Sequence, residues 1–287
     1  MRLFLFLTLF TCSLFSLSIE MSDSTVENGK TTLLEFNNDK NIQYDKVVVG
    51  KKSYKIFNNP VDKEKSYVLI PVSYYEKPTE KKIEIYYKEE KKEKKRVLLL
   101  KVKDGEYKKE TLSVDNTKVS LSEKDKKRAS AEYAEAMKIY KTVNQKSYMS
   151  KPFIFPLDST ITSDFGKARV FNGTLKSYHS GTDFRAAVGT SLTACNDGVV
   201  VLAKDRFYAG GSVIIDHGQG IYSGYYHMSK LDVKEGNEVK QGDIIGLSGD
   251  TGRVTGPHLH FSFRVGGEQV DPLQLIELIN TNLLKGR

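Results

Sequence analysis

The sequence predicts a mainly β protein built from two units. An N-terminal antiparallel β-sandwich-like domain leads through one connecting helix into a C-terminal antiparallel β-sheet domain closed by a short helix. Three observations carry this. Short β-rich runs separated by turn residues fill the first 120 residues. One stretch, 122–143, has apolar residues at helical spacing. The second half alternates short apolar runs with glycines and ends on Asp271-Pro272. At 287 residues the chain exceeds one average domain and suits two.

Residues 1–18 read as a secretory leader: Met1-Arg2, an apolar run from Leu3 to Leu17, and small residues at the end. The run is shorter than the roughly 20 residues of a membrane span. Phe10 and Thr11 before Cys12 are a poor lipidation context. Without the leader only Cys195 remains, so no internal disulfide forms. Its setting, Leu192–Gly198, reads as that of a buried small hydrophobe.

Residues 20–120 contain the runs Thr31–Phe36, Lys46–Val49, Tyr54–Phe57, Tyr67–Tyr75, Lys82–Tyr87, Val97–Val102 and Thr111–Val114. About seven such strands suggest a sandwich, immunoglobulin-like in pattern. This part has no histidine. It also carries the whole charge excess: 30 Lys+Arg against 22 Asp+Glu through residue 150, then 14 against 14. The densest run, Lys88–Arg96, mixes signs and reads as a solvated hairpin tip, with attraction to anionic envelope polymers as the sharper alternative. Interruption by Glu, together with the leader, argues against nucleic acid as a partner.

Residues 121–151 form the predicted connection. Ser122 and Asp125 resemble a capping box, and Tyr133, Met137 and Tyr140 give a packing stripe. Asn144–Pro152 reads as linker. From 152 to 287 the chain is β-rich. Gly236 and Gly242 end two near-identical segments and mark consecutive tight turns. Asp271 as N-cap and Pro272 at N1 start a closing helix with Leu273, Ile276, Leu278 and Ile279 on its apolar face.

All five histidines lie in this second unit. His258 and His260 sit one residue apart after a Gly256-Pro257 turn and before a β-rich run, so they project from one strand face. Such a pair supplies a metal ligand and a neighbouring acid/base, or is two satisfied polar residues on a solvated face. His179 and Asp183 are four apart across Ser180-Gly181-Thr182, poor helix sequence that suits a turn entering a strand. His227 follows the aromatic run Tyr222–Tyr226. Imidazoles with a carboxylate suit zinc. His217, followed by Gly218, reads as a structural turn histidine.

His179-Ser180-Gly181-Thr182-Asp183, Asp216–Gly220, Tyr226-His227-Met228-Ser229 and Thr251–His260 resemble the lysostaphin/LytM-type zinc peptidases in residue, order and spacing, over roughly 153–272. Met228 stands where that family more often has Leu, a volume-conserving change. The resemblance implies one zinc ion per chain, held by His179, Asp183 and His260, with His227 and His258 as the catalytic pair. It implies peptidoglycan stem peptides as substrate and, with the leader, the periplasm or envelope of a diderm bacterium. There the favoured bond is D-Ala to the side-chain amine of diaminopimelate. Tyr225 or Tyr226 lines the groove or packs in the core; loops near Arg169–Ser177 and Asp205–Gly211 shape it. The N-terminal unit restrains or positions the catalytic one through contact with it.

Two other classes compete. A biotin- or lipoate-type carrier would use tight turns like those at 233–246, but Lys240 is not flanked as such a lysine would be, and a carrier has no use for the histidines. An inactive relative serving as regulator or wall-binding module would lack one of the five site residues, and all are present.

Overall fold

The computed structural model describes residues 17–112, 121–171 and 175–285. Nearly all of the leader lies outside the described residues. Among the described residues no helix is long and apolar enough to cross a membrane.

The N-terminal unit has nine strands: β1 (Ile19–Met21), β2 (Thr25–Glu27), β3 (Thr31–Asn37), β4 (Ile42–Val49), β5 (Lys52–Lys55), β6 (Phe57–Asn58), β7 (Lys65–Pro71), β8 (Thr79–Glu89) and β9 (Lys92–Lys103). They form a four-stranded sheet, β1-β3-β7-β6, and a five-stranded sheet, β2-β9-β8-β4-β5. Leu34, Phe36, Val68 and Ile70 of the first face Val47, Ile83, Ile85 and Leu100 of the second across one core. This is the expected sandwich, except that β2 runs parallel to β9. The basic run Lys88–Arg96 is a hairpin tip, turning at Glu90 and Lys91 with φ of 49° and 67°.

The four-stranded sheet is buried on both faces. Side chains alternate along a strand, so Leu34 and Phe36 enter the sandwich while Leu33 points the other way. Tyr67 and Leu69 do likewise on β7. With Phe57 they join the core of the second unit, against Met149, Phe153, Leu275, Ile279 and Leu283. Polar contacts pin the same interface. Thr31 N–H donates to Gln274 Oε1 at 3.0 Å, Gln274 Nε2 donates back to Thr31 O at 2.9 Å, and the Tyr67 hydroxyl donates to Gln219 Oε1 at 2.5 Å.

Strand β10 (Lys109–Leu112) departs from the sequence-based division. The sequence pattern places this stretch in the N-terminal sandwich, but it pairs in parallel with β12 (Ala168–Phe171) of the second unit, and β12 pairs with β13 (Leu175–Tyr178). The helix α1 (Glu123–Tyr140) is capped by Ser122, whose Oγ accepts from Asp125 N. The stretch after it is more than a linker: Ser147 bridges to Gly218, and Met149 and Phe153 are buried in the main core.

The second unit is organised by one large sheet. Its strands β11 (Ile161–Ser163), β14 (Thr182–Arg185), β16 (Gly198–Arg206), β17 (Gly210–Asp216), β18 (Ile221–Met228), β20 (Glu238–Val239) and β22 (His258–Val265) run in the order β11-β14-β22-β18-β17-β16-β20, with β23 (Glu268–Val270) against β22. A small sheet of β15 (Ser191–Thr193), β19 (Lys230–Leu231) and β21 (Ile244–Leu247) flanks it. The closing helix α2 (Pro272–Leu278) is capped by Asp271, whose side chain accepts from the backbone N–H of Leu273 and Gln274. Along β22, Leu259, Phe261 and Phe263 face the core, so His258, His260, Ser262 and Arg264 face the other side. There α1 packs Ala136 and Tyr140 on Leu202, Ile214 and Tyr222 and walls off a groove.

His217 lies in this core as the expected structural histidine. Its Nδ1–H donates to Asp197 O at 2.7 Å and its Nε2 accepts from Ser223 Oγ at 2.8 Å. Burial pushes the imidazole down to about 4. Between about pH 6.5 and 4 the unfolded chain binds a proton here that the folded one refuses, so stability present above 6.5 is lost as pH falls through that window. A His217→Gln variant should show a chemical-denaturation stability less steep with pH there, by up to about 1.4 kcal/mol per pH unit.

Candidate active site

Strand register assembles the site. Asp183 on β14 lies opposite His260 on β22, and Arg185 opposite His258. On the other side of β22, Tyr226 of β18 lies opposite His260. The turn between β13 and β14 carries His179 to the same point. Gly181 in that turn is required by close approach: a Cβ there would fall 2.3 Å from Phe261 O and 2.8 Å from His260 Nε2.

Three atoms converge. His179 Nε2 is 2.8 Å from Asp183 Oδ1 and 2.9 Å from His260 Nδ1, and His260 Nδ1 is 2.8 Å from Asp183 Oδ1. His179 Nδ1 lies 2.7 Å from Asp164 O, an acceptor only, so in the neutral ring Nδ1 carries the proton and Nε2 the lone pair. Asp183 Oδ1 also offers lone pairs. The Asp183 carboxylate oxygen is thus shared by the two imidazoles. Burial alone would raise the Asp183 carboxyl; the imidazoles of His179 and His260 facing it reverse the direction and hold it well below the usual carboxylate range. Burial lowers His260 to about 4, leaving it neutral at neutral pH. The donor set fits a metal ion. A tetrahedral zinc with bonds of about 2.0–2.1 Å spaces its ligands about 3.3 Å apart, a few tenths beyond this triangle.

The other two histidines stand beside it. His258 Nε2 is 3.7 Å from Asp183 Oδ1, and its Nδ1–H donates to Gly256 O at 2.8 Å. His227 Nδ1–H donates to Thr251 O at 2.8 Å. The ring centroids of His227 and His258 are 4.9 Å apart. Each ring thus commits Nδ1 to a backbone carbonyl and has Nε2 as its other nitrogen. Burial first, then the charges of His260 and His258, lower His227 to about 3. His227 has φ +63°, next to a register slip between β17 and β18, a left-handed conformation rare outside glycine that turns its ring into the site. All five residues marked by the sequence are thus brought together.

The groove around them is about 600 Å³. Tyr226 lines it, whereas Tyr225 is core, its hydroxyl accepting from Cys195 N. The two loops expected to shape it do so through Arg169, Ser177, Arg206 and Tyr208. Met137, read as packing surface, packs against the core under α1, and with Tyr133 it also lines the groove. Sequence reading missed one partner of the site. Arg169 Nη2 lies 3.3 Å from Asp183 Oδ2, and its Nε lies 3.1 Å from Glu110 on β10. Beside it Tyr74 stacks on Tyr178 at 3.9 Å, next to His179. No local motif announces pairs so distant in sequence.

Clustered imidazoles and a buried carboxylate in a β-sheet groove make a candidate metal centre. Residues 177–272 match Peptidase family M23, and the chain carries a domain of that family. It is 44% identical over 123 residues to the peptidoglycan DD-endopeptidase ShyA of Vibrio cholerae, covering 42% of this chain and 29% of that protein. It is 45% identical over 98 residues to an uncharacterized metalloprotease of Haemophilus influenzae, covering 33% and 20%. The chain therefore spans only a fifth to a third of these curated relatives. A crystal structure assigned to peptidase M23 from Pseudomonas aeruginosa superposes with a TM-score of 0.65 at 25% identity, covering 86% of this chain and 93% of that one.

Replacing Gly181 by Ala should lower stability by about 1–3 kcal/mol, because the contacted atoms are backbone and a packed ring. Thermal unfolding, together with a shift of the His260 ring resonances, checks this.

Proposed function

We propose that this protein is a zinc-dependent peptidoglycan endopeptidase of the cell envelope that hydrolyses stem-peptide cross-links, with the D-Ala to diaminopimelate bond favoured. The observation that carries the reading is the convergence of the His179, Asp183 and His260 ligand atoms beside two histidines whose Nδ1 is fixed by a backbone carbonyl. The peptidoglycan DD-endopeptidases among the relatives support the substrate. All five site residues are present, which favours an enzyme over an inactive regulator.

His179, Asp183 and His260 would hold one zinc ion, which supplies Lewis acidity at the scissile carbonyl and lowers the pKa of water. The remaining chemistry belongs to His227 and His258. Each directs Nε2 at the groove with its ring fixed by a carbonyl on Nδ1, so each can accept a proton from the attacking water and return it to the leaving amine. In protonated form they stabilise the developing oxyanion.

The N-terminal unit restrains or positions the catalytic one. Its seat on the second core and the Glu110–Arg169 pair support this.

Metal analysis separates binding from chemistry. His179→Ala and His260→Ala should each lose the zinc equivalent. His258→Ala and His227→Ala should keep it while kcat/KM falls by about 10²–10⁴. A metal-free but folded His258 or His227 variant would reverse the assignment.

The bond is tested with purified dimeric muropeptide, enzyme and zinc, products being read by mass. Monomers are expected, with some trimming of terminal D-Ala. Intact dimers beside cleaved pentaglycine would make the protein a glycyl-glycine peptidase. Intact dimers beside shortened pentapeptides would make it a carboxypeptidase.

A further inference from the structure

The chain has 35 lysines and only nine arginines. Five of those arginines line the groove, at 169, 185, 206, 253 and 264, and among the described residues no lysine does. The acidic groups on the same wall are Glu110 and Asp183. The second unit is electrically balanced as a whole, so this cationic lining is local. Arginine is the side chain whose planar fork matches a carboxylate in two parallel hydrogen bonds.

Four of the five have structural duties. Arg169 is held by Glu110 and Asp183. Arg206 Nη2 donates to Glu132 O at 2.7 Å. Arg264 Nη1 donates to Gly267 O at 2.7 Å, and its guanidinium lies 4.7 Å from the Tyr140 ring centroid. Arg253 stacks 4.3 Å from the Tyr208 ring centroid. Arg185 differs. It is exposed, and its guanidinium makes no ion pair or hydrogen bond among the described residues. Its place is defined by register: two residues beyond Asp183 on the same face of β14 and directly opposite His258. Cross-strand partners lie about 4.5–5.5 Å apart at Cα. An uncommitted guanidinium thus borders the histidine proposed to handle the proton of the leaving amine.

We propose that Arg185 is a specificity residue that binds the carboxylate on the carbon bearing the leaving amine. This rests on the peptidase reading above. In the D-Ala to diaminopimelate cross-link, the carbon attached to the scissile nitrogen carries a free carboxylate. The terminal D-Ala of a pentapeptide carries one at the same position. An internal glycyl-glycine bond carries none. One cation at this position therefore admits cross-links and terminal D-Ala and disfavours glycine bridges.

The test compares the dimeric muropeptide with the same dimer amidated at that carboxylate, using full-length zinc-loaded protein. Amidation should reduce wild-type kcat/KM by about 10–100-fold, mainly through KM. Arg185→Gln should lose a similar factor on the free dimer and little more on the amidated one, with zinc content and melting temperature unchanged. Arg185→Lys, which keeps charge but not the fork, should fall between. Equal wild-type turnover of the two dimers, or an Arg185→Gln enzyme that still discriminates between them, overturns this proposal and leaves the peptidase reading intact. A wild-type enzyme that cleaves neither dimer overturns both.

Discussion

The second unit is organised around three side-chain atoms, His179 Nε2, Asp183 Oδ1 and His260 Nδ1, held within 2.9 Å of one another. His179 and Asp183 are buried. The protein holds them by making every other choice rigid. The β14–β22 register fixes two of the three and a short turn fixes the third. A glycine admits that turn against the backbone of β22. The fold thereby brings the three atoms to one point before any ion is bound.

Histidine function in this chain is decided by what Nε2 faces. His179, His217, His227 and His258 all spend their Nδ1 proton on a backbone carbonyl. The device fixes ring and tautomer alike in each. For His217 the remaining nitrogen accepts from Ser223 inside a sealed core, and the residue is structural. For the other three the same nitrogen opens on the groove. One local motif thus yields different outcomes, set by the packing around it.

Much of this was legible in the sequence because it depends on short-range periodicity. His258 and His260 share a face because a strand has period two. The Ser-Gly-Thr between His179 and Asp183 makes a turn because it is poor helix. Ser122 and Asp271 cap helices for reasons contained within four residues. What could not be read depends on long-range pairing. Thr111 looked like one more strand of the sandwich, yet β10 pairs with β12, nearly sixty residues on. Glu110 and Arg169 meet only because of that pairing. Likewise Thr31–Phe36 read as a strand, but nothing local says that both its faces are covered.

That double coverage makes the boundary between the two units topological rather than thermodynamic. Leu33, Phe57, Tyr67 and Leu69 belong by chain to the first unit and by burial to the second. Cutting the chain before α1 would remove β10 and leave a contiguous apolar scar on the back of the catalytic sheet, of the kind that drives self-association. The first unit, cut away, would carry the matching scar. Each is therefore the other's solubilising cover, and they are expected to survive or fail together in the cell.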